Sequence, residues 1–265
     1  MKNFKNKTIV ITGAGSGIGR ELAKQFAKEG ARLALNDYNK TTLQETADLL
    51  QLSDENILVS DFDVASLTDM QAFSKAVIEK FSKVNIVINN AGLGSGPYHV
   101  GEGQIETFRR VMDINFYGVL YGCEVFMPSL LAAEEAALVN VSSVFGLTGV
   151  ANKSPYVASK FAVNGFTQCL IQEFYDNKNF SIHCVHPAGI KTNIVKNSID
   201  YQSGASTMEQ NLTVTATNAA RTIIDGIKRK KPRILIGRSA YLLDKVTRIH
   251  PTLGSRMVNQ KIKKA

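Results

Sequence analysis

Lys7-Thr8-Ile9-Val10-Ile11-Thr12-Gly13-Ala14-Gly15-Ser16-Gly17-Ile18-Gly19 is a β-branched run that turns on glycines into a helical pattern. Thr8 to Thr12 read as a short buried strand. Ile18, Leu22 and Phe26 recur at helical spacing, with Ala23 and Ala27 beside them, until Gly30 stops the helix. The turn between strand and helix is an anion site. Backbone N–H groups point outward at the positive end of the helix, and the missing side chains of Gly13, Gly17 and Gly19, beside Ser16 and Ile18, let a pyrophosphate approach. The next strand, Arg32-Leu33-Ala34-Leu35, ends at Asn36-Asp37, so an acid sits 18 residues after Gly19. A carboxylate there grips a ribose 2′-hydroxyl, and the whole stretch reads as a dinucleotide fingerprint.

Strand–helix alternation continues beyond it without linkers, low-complexity tracts or repeats. Strands are expected at 57–60, 85–89, 138–142, 181–186 and 233–236. Helices are expected at about 66–81, over a long stretch from 104 to 131, around Tyr156 and Lys160, and at about 214–230. This predicts an α/β, single-domain Rossmann fold: a doubly wound, seven-stranded, mostly parallel sheet with helices on both faces and ligands beyond the carboxyl ends of the strands. A polar loop at 193–213 falls on the substrate side. Residues 239–265 form an extension in which Leu242, Leu243, Val246 and Ile249 recur at helical spacing, predicting a terminal helix that packs on the core, on a neighbouring subunit or over the site.

At 265 residues and 44% hydrophobic, the chain buries about 70–75% of its unfolded surface around one core. No apolar run has the ~20 residues a bilayer span requires, and the first residues lack the apolar centre of a secretory signal, so a cytoplasmic protein is expected. Cys123, Cys169 and Cys184 are odd in number, widely spaced and flanked by apolar residues, which predicts buried free thiols; four scattered histidines make no zinc site. The net charge of +8 is concentrated late, in Lys228-Arg229-Lys230-Lys231-Pro232-Arg233 and in Lys261, Lys263 and Lys264. Such a run reads first as a solvated helix end, then as a surface for an acidic protein or an anionic membrane. Nucleic acid is excluded by the lack of aromatic interleaving and of a reader fold.

In Tyr156-Val157-Ala158-Ser159-Lys160 a phenol and an ammonium four residues apart share a helical face, and the positive charge is expected to draw the phenol toward neutral pH. Together with the glycine turn and Asn89-Asn90-Ala91-Gly92, this chain resembles the short-chain dehydrogenase/reductase family from about Lys7 to Ile236. The resemblance implies a catalytic tetrad of Asn115, Ser143, Tyr156 and Lys160, with Ser143 chosen over Ser142 by its spacing from the tyrosine. It also implies that Asp63 receives the adenine amino group, that Asn90 and Thr192 line the adenosine ribose and the carboxamide, and that Val64, Ala91, Gly92, Pro187 and Ile190 also bind the cofactor. Oxidising an alcohol needs a base and a donor to the developing carbonyl oxygen, which Tyr156 and Ser143 supply. By resemblance, Lys160 holds ribose hydroxyls and Asn115 anchors a water that carries the proton away.

Asp37 favours NAD over NADP, because it bonds a free 2′-hydroxyl and repels a 2′-phosphate; Ser16 and Tyr38 stand neutral where NADP-preferring relatives carry a basic residue. Capping of the next helix is the other role open to Asp37. Where the family usually has Pro-Gly, the run is His186-Pro187-Ala188-Gly189, so a modest rearrangement is expected: either the backbone at Ala188 avoids positive φ or Gly189 takes over that duty. Leu93, Val144, Phe145, Leu147 and Val150 make the expected pocket wall apolar. The expected activity is therefore NAD-linked interconversion of a neutral, fairly hydrophobic secondary alcohol and its ketone, in a dimer or tetramer. The alternatives are an NADP-linked ketone or 3-oxoacyl-carrier-protein reductase and a non-catalytic dinucleotide sensor.

Overall fold

A computed structural model describes residues 1–191, 199 and 213–264. The chain runs β1 (Thr8–Thr12), α1 (Gly17–Lys28), β2 (Arg32–Asp37), α2 (Lys40–Leu50), β3 (Ile57–Asp61), α3 (Leu67–Phe81), β4 (Ile86–Asn89), α4 (Ile105–Met112), α5 (Gly118–Ala132), β5 (Ala136–Val141), α6 (Ser154–Glu173) and β6 (Phe180–Pro187). It closes with β7 (Ile190–Lys191), β8 (Val214–Thr215), α7 (Ala216–Lys228), β9 (Arg233–Ile236), α8 (Arg238–Ile249) and α9 (Pro251–Lys264). Seven strands form one parallel sheet in the order β3-β2-β1-β4-β5-β6-β9. The sheet is covered on both faces, as expected.

Burial on both faces explains why the strands are runs of branched residues rather than alternations. Ile9 and Ile11 pack with Leu22 and Phe26 of α1 and Ile223 and Ile227 of α7. Val10, between them in sequence, points the other way, to the layer holding Phe73 of α3, Phe126 of α5 and Val163 of α6. Because β1 pairs with both β2 and β4, strand order reverses there. The helices that follow β1 and β4 consequently lie on opposite faces of the sheet, which leaves a crevice at the carboxyl edge.

Four expectations are corrected. The helical stretch from 104 to 131 is two helices joined by a π turn at Asp113–Tyr117. The helix expected from Val214 begins at Ala216, because Val214–Thr215 pairs with Ile190–Lys191 and Thr215 Oγ1 caps the helix by accepting from Asn218 N (3.2 Å). The terminal helix is broken at Pro251, which has no N–H to continue α8 and restricts His250. Within α8, Ala240 and Leu243 face inward onto Val144 and Ala188, while Leu242 and Ile249 of the expected stripe are exposed. Finally, all three thiols are free and Cys123 and Cys184 are buried, but Cys169 is exposed on α6, turned about 100° away from the buried stripe of Val163, Thr167 and Leu170. Among the described residues no helix is long and apolar enough to cross a membrane.

Candidate active site

The crevice is a cleft of about 1250 Å³. Its floor at one end is the glycine turn, in which Gly13 and Gly17 have φ of +66° and +54°, a region that side chains disfavour. A Cβ on Gly13 would also lie 2.8 Å from Ala91 Cα, so glycine is required there twice over. Ser16 precedes α1 without a side-chain cap, and the first turn of α1 carries no acid. The positive end of the helix therefore faces the cleft uncompensated. Gly19 lies behind the turn, packed on the Gly13 carbonyl.

Asp37, at the end of β2, accepts from Gly15 N through Oδ2 (2.8 Å) and from Asn39 N through Oδ1 (3.0 Å), and it lines the cleft. It does not cap α2; Asn39 does, accepting from Thr42 N (3.0 Å). Asn90 donates both amide hydrogens to Thr12 O (2.9 Å) and Gly13 O (3.1 Å), while Thr12 Oγ1 accepts from the N–H groups of Asn90 and Ala91 (both 3.1 Å). These bonds tie the loop after β4 to the glycine turn across the strand reversal. An exposed helix end, an acid at the second strand and a backbone floor without side chains are the donor set that a dinucleotide requires. Val64, Ala91, Gly92, Pro187 and Ile190 border the same cleft, and Thr192 lies outside the described residues.

At the other end, Ser143, Tyr156 and Lys160 meet. Ser143 follows β5; its Oγ accepts from Phe145 N (3.1 Å), and it lines the cleft beside the Tyr156 phenol, whose pKa it pulls down. Ser142 is already committed, donating to Lys160 O (2.8 Å). Phe145 meets the Tyr156 ring edge-on, with centroids 6.4 Å apart, and Lys160 Nζ lies 5.7 Å from that ring's centroid. Lys160 donates to Val141 O (3.0 Å), and burial lowers its pKa to about 8. The phenol moves opposite to the sequence expectation: burial pushes Tyr156 up, against a smaller pull down from Ser143. Desolvation is the larger of the two effects, because loss of water disfavours the phenolate.

Asn115 stands behind this group in the π turn, fully buried. Its Nδ2 donates to Leu93 O (2.9 Å) and Ser159 Oγ (3.0 Å), and its Oδ1 accepts from Leu93 N (2.7 Å). The amide clamps the loop after β4 to α6, so a water can meet only the second lone pair of Oδ1. Gly92 keeps the backbone close here: a Cβ would lie 3.3 Å from Lys160 Nζ and 3.4 Å from Asn115 Oδ1.

Several side chains at the cleft escaped the sequence reading. Arg110 of α4 forms an ion pair with Asp63 across 47 positions of chain. Lys153, at the start of α6, donates to Ser95 O (2.6 Å), and burial lowers its pKa. Arg238 of α8 also borders the cleft. Nothing in a local pattern marks these three. The φ of +58° falls on Gly189, which leaves Ala188 in ordinary backbone as expected.

His186, fully buried, bonds Ser143 O through Nδ1 (3.1 Å), so its neutral form carries the proton on Nδ1. His183 likewise bonds Lys231 O (2.6 Å) and Ser181 Oγ (2.9 Å). Burial lowers both from 6.5 to about 4. The unfolded chain therefore binds more protons between those values, and stability present above pH 6.5 is lost as pH falls through 4. We expect each to cost about 3 kcal/mol by full protonation. Thermal midpoints followed from pH 7 downward should drop most between 6.5 and 4, and a flat profile there would contradict the buried neutral imidazoles.

Comparison with known proteins supplies the setting. The sequence family described as short chain dehydrogenase matches residues 7–203. SadH of Mycobacterium tuberculosis is 36% identical over 265 residues, covering 97% of this chain and 96% of that protein. A cyclohexanol dehydrogenase of an Acinetobacter species is 35% identical over 192 residues, or 72% of this chain and 76% of its own length. Among solved structures, a short chain dehydrogenase/reductase from Burkholderia phymatum in complex with NAD superposes with a TM-score of 0.87 at 29% identity, covering 96% of both chains.

Proposed function

The chain belongs to the short chain dehydrogenase family, and we propose that within it the protein is an NAD-dependent dehydrogenase that interconverts a neutral, fairly hydrophobic secondary alcohol and its ketone. One observation carries this reading: a single cleft holds a carboxylate at one end, Asp37 on the glycine turn, and the Tyr156 phenol beside Ser143 and the buried Lys160 at the other. The NAD complex of the Burkholderia phymatum relative and the cyclohexanol dehydrogenase support both halves.

NAD, when bound, supplies the carbon that accepts hydride from the alcohol. The N-terminus of α1 would hold its pyrophosphate, and Asp37 would take the adenosine ribose 2′-hydroxyl. Asp63, held by Arg110, borders the adenine side. Tyr156 removes the hydroxyl proton, and Ser143 donates to the oxygen as it becomes a carbonyl. Lys160 would neutralise the developing phenolate and hold the second ribose, while His186 fixes Ser143 through its backbone carbonyl. The nearer wall is apolar, formed by Leu93, Val144 and Phe145. Of the cations at the cleft, Lys153 is held by Ser95 O and Arg110 by Asp63, while Arg238 has no ion pair among the described residues. Exposed Tyr117, Leu131 and Phe161 on the long helices support a dimer or tetramer, and a monomer in sedimentation would remove that element.

The test is reduced-nicotinamide absorbance with NAD and with NADP across aliphatic, alicyclic, aromatic and steroidal secondary alcohols. Reduction of NAD by a subset is expected, and turnover of phosphorylated or carboxylated substrates alone would sink the reading. Asp37→Ala should weaken NAD by about tenfold, since a charge-assisted hydrogen bond contributes about 1.5–3 kcal/mol, and should narrow discrimination against NADP. If dissociation constants for both dinucleotides stayed unchanged, the carboxylate would serve the turn alone.

A further inference from the structure

The basic C-terminal segment has no part in the chemistry above, and its layout is specific. Residues 228–264 contain twelve lysines and arginines against one acid, Asp244, whereas residues 1–227 hold more acids than bases. Asp244 is already taken by Arg233, at the start of β9, and by Arg248, one turn further along α8 (3.2 Å). This brings the basic run that ends α7 and the second half of α8 to the same edge of the sheet. Lys231, Lys245 and Arg256 have no ion pair among the described residues.

Large apolar side chains share that face. On α8, Arg248, Tyr241, Lys245, Ile249 and Leu242 fall within one arc of about 120°, by the 100° step of a helix. Tyr241 is 52% exposed, Leu242 55% and Ile249 86%, and Leu253, at the start of α9, is 45% exposed. The inner faces of the same two helices are fully employed. Leu243 and Val258 border the cleft, Thr148 Oγ1 bonds Ser255 Oγ (2.9 Å), and Ala151 N donates to Asn259 Oδ1 (2.9 Å). The pair of helices is thus fastened to the cleft wall by one side and turns a mixed basic and apolar surface outward.

We infer that this outward face of α8 and α9 docks the protein on an anionic phospholipid surface, with Leu242, Ile249 and Leu253 entering the interface and Lys245, Arg248 and Arg256 meeting the headgroups. Interleaved cations and large apolar groups on a helix that lies in the plane suit this partner. An acidic protein or a polyanion needs the charges but gives no reason to expose Ile249. A second copy related by a two-fold axis would set Lys245 and Arg248 against their own counterparts, with no free acid on the face to offset them. The same helices that meet the bilayer also roof the cleft, so an apolar alcohol dissolved in lipid would have a short route to the site. That consequence rests on the proposed substrate class; the docking does not.

The experiment is flotation of the full-length protein with vesicles of phosphatidylcholine alone and of phosphatidylcholine with phosphatidylglycerol. Binding is expected with the anionic vesicles, is expected to fall with added salt, and is expected to be absent with the neutral ones. Lys245→Gln with Arg256→Gln should lower the partition coefficient by about twenty-five-fold, taking about fivefold per charge. Leu242→Ser with Ile249→Ser should lower it by about tenfold or more. Near-ultraviolet circular dichroism confirms that the variants are folded, and NAD binding, which uses none of these residues, should be unchanged. Absence of binding to either vesicle overturns the proposal, as does equal binding to both. Undiminished binding by the serine variant would leave a charge effect without insertion. A change of sedimentation coefficient in that variant, with vesicle binding intact, would make the face a contact between copies.

Discussion

Tyr156→Phe is expected to lower turnover by about four orders of magnitude while leaving dinucleotide affinity within about threefold. The magnitude is that of a lost general acid–base group. The selectivity follows from the surroundings. Removing the hydroxyl leaves the ring edge-on to Phe145, and Lys160 keeps its bond to Val141 O, so the packing around the site survives. Neither Ser143 nor Lys160 replaces the phenol: Ser143 has no pKa in range, and Lys160 points at the β5 carbonyl. The pH–rate profile supplies a second readout. The Lys160 ammonium discharges at about 8, so as pH rises through that value Tyr156 loses the positive charge that stabilises its phenolate, and the gain from deprotonation should be blunted there. Turnover of the phenylalanine variant within tenfold of the parent would remove Tyr156 from the chemistry.

Gly19→Ala is expected to be the most damaging single change in the dinucleotide end. A Cβ there would lie 2.1 Å from Gly13 O and 2.8 Å from Gly13 C, both backbone atoms, and 2.8 Å from Asn90 Nδ2. No side chain can rotate out of the way, so α1 must move off the turn and the Asn90 bond to Gly13 O must break. Overpacking of this kind costs about 3 kcal/mol, which for a chain of this size corresponds to roughly 6–12 °C in thermal midpoint. Moving the helix end also misplaces the N–H groups that meet the pyrophosphate, and dinucleotide affinity should fall at least about a hundredfold. Calorimetric melting and titration read the two effects separately. A variant with parental midpoint and affinity would mean that the turn is looser than the Gly13–Gly19 contact implies.

The α/β class and the parallel, doubly covered sheet were legible from Lys7 onward, because apolar periodicity and glycine-turn chemistry act within a few residues of one another. The same holds for Asp37 at the end of β2 and for Tyr156 and Lys160 on one face of α6. The Ser143 assignment needed the family resemblance; both serines line the cleft, and Ser142 bonds Lys160 O. Residues whose partners lie far along the chain were not legible. The Asn115 amide spans 22 positions to Leu93 and 44 to Ser159, Arg110 finds Asp63 at 47, and His186 finds Ser143 at 43. The upward shift of Tyr156 and the outward turn of Leu242 and Ile249 belong with these. Local sequence sets the period and ends of each element. Which side chains are desolvated, and which partner each one meets, is settled only when β1, β4, β5 and β6 align in register and the helices pack across them, since burial and pairing are properties of the assembled layers.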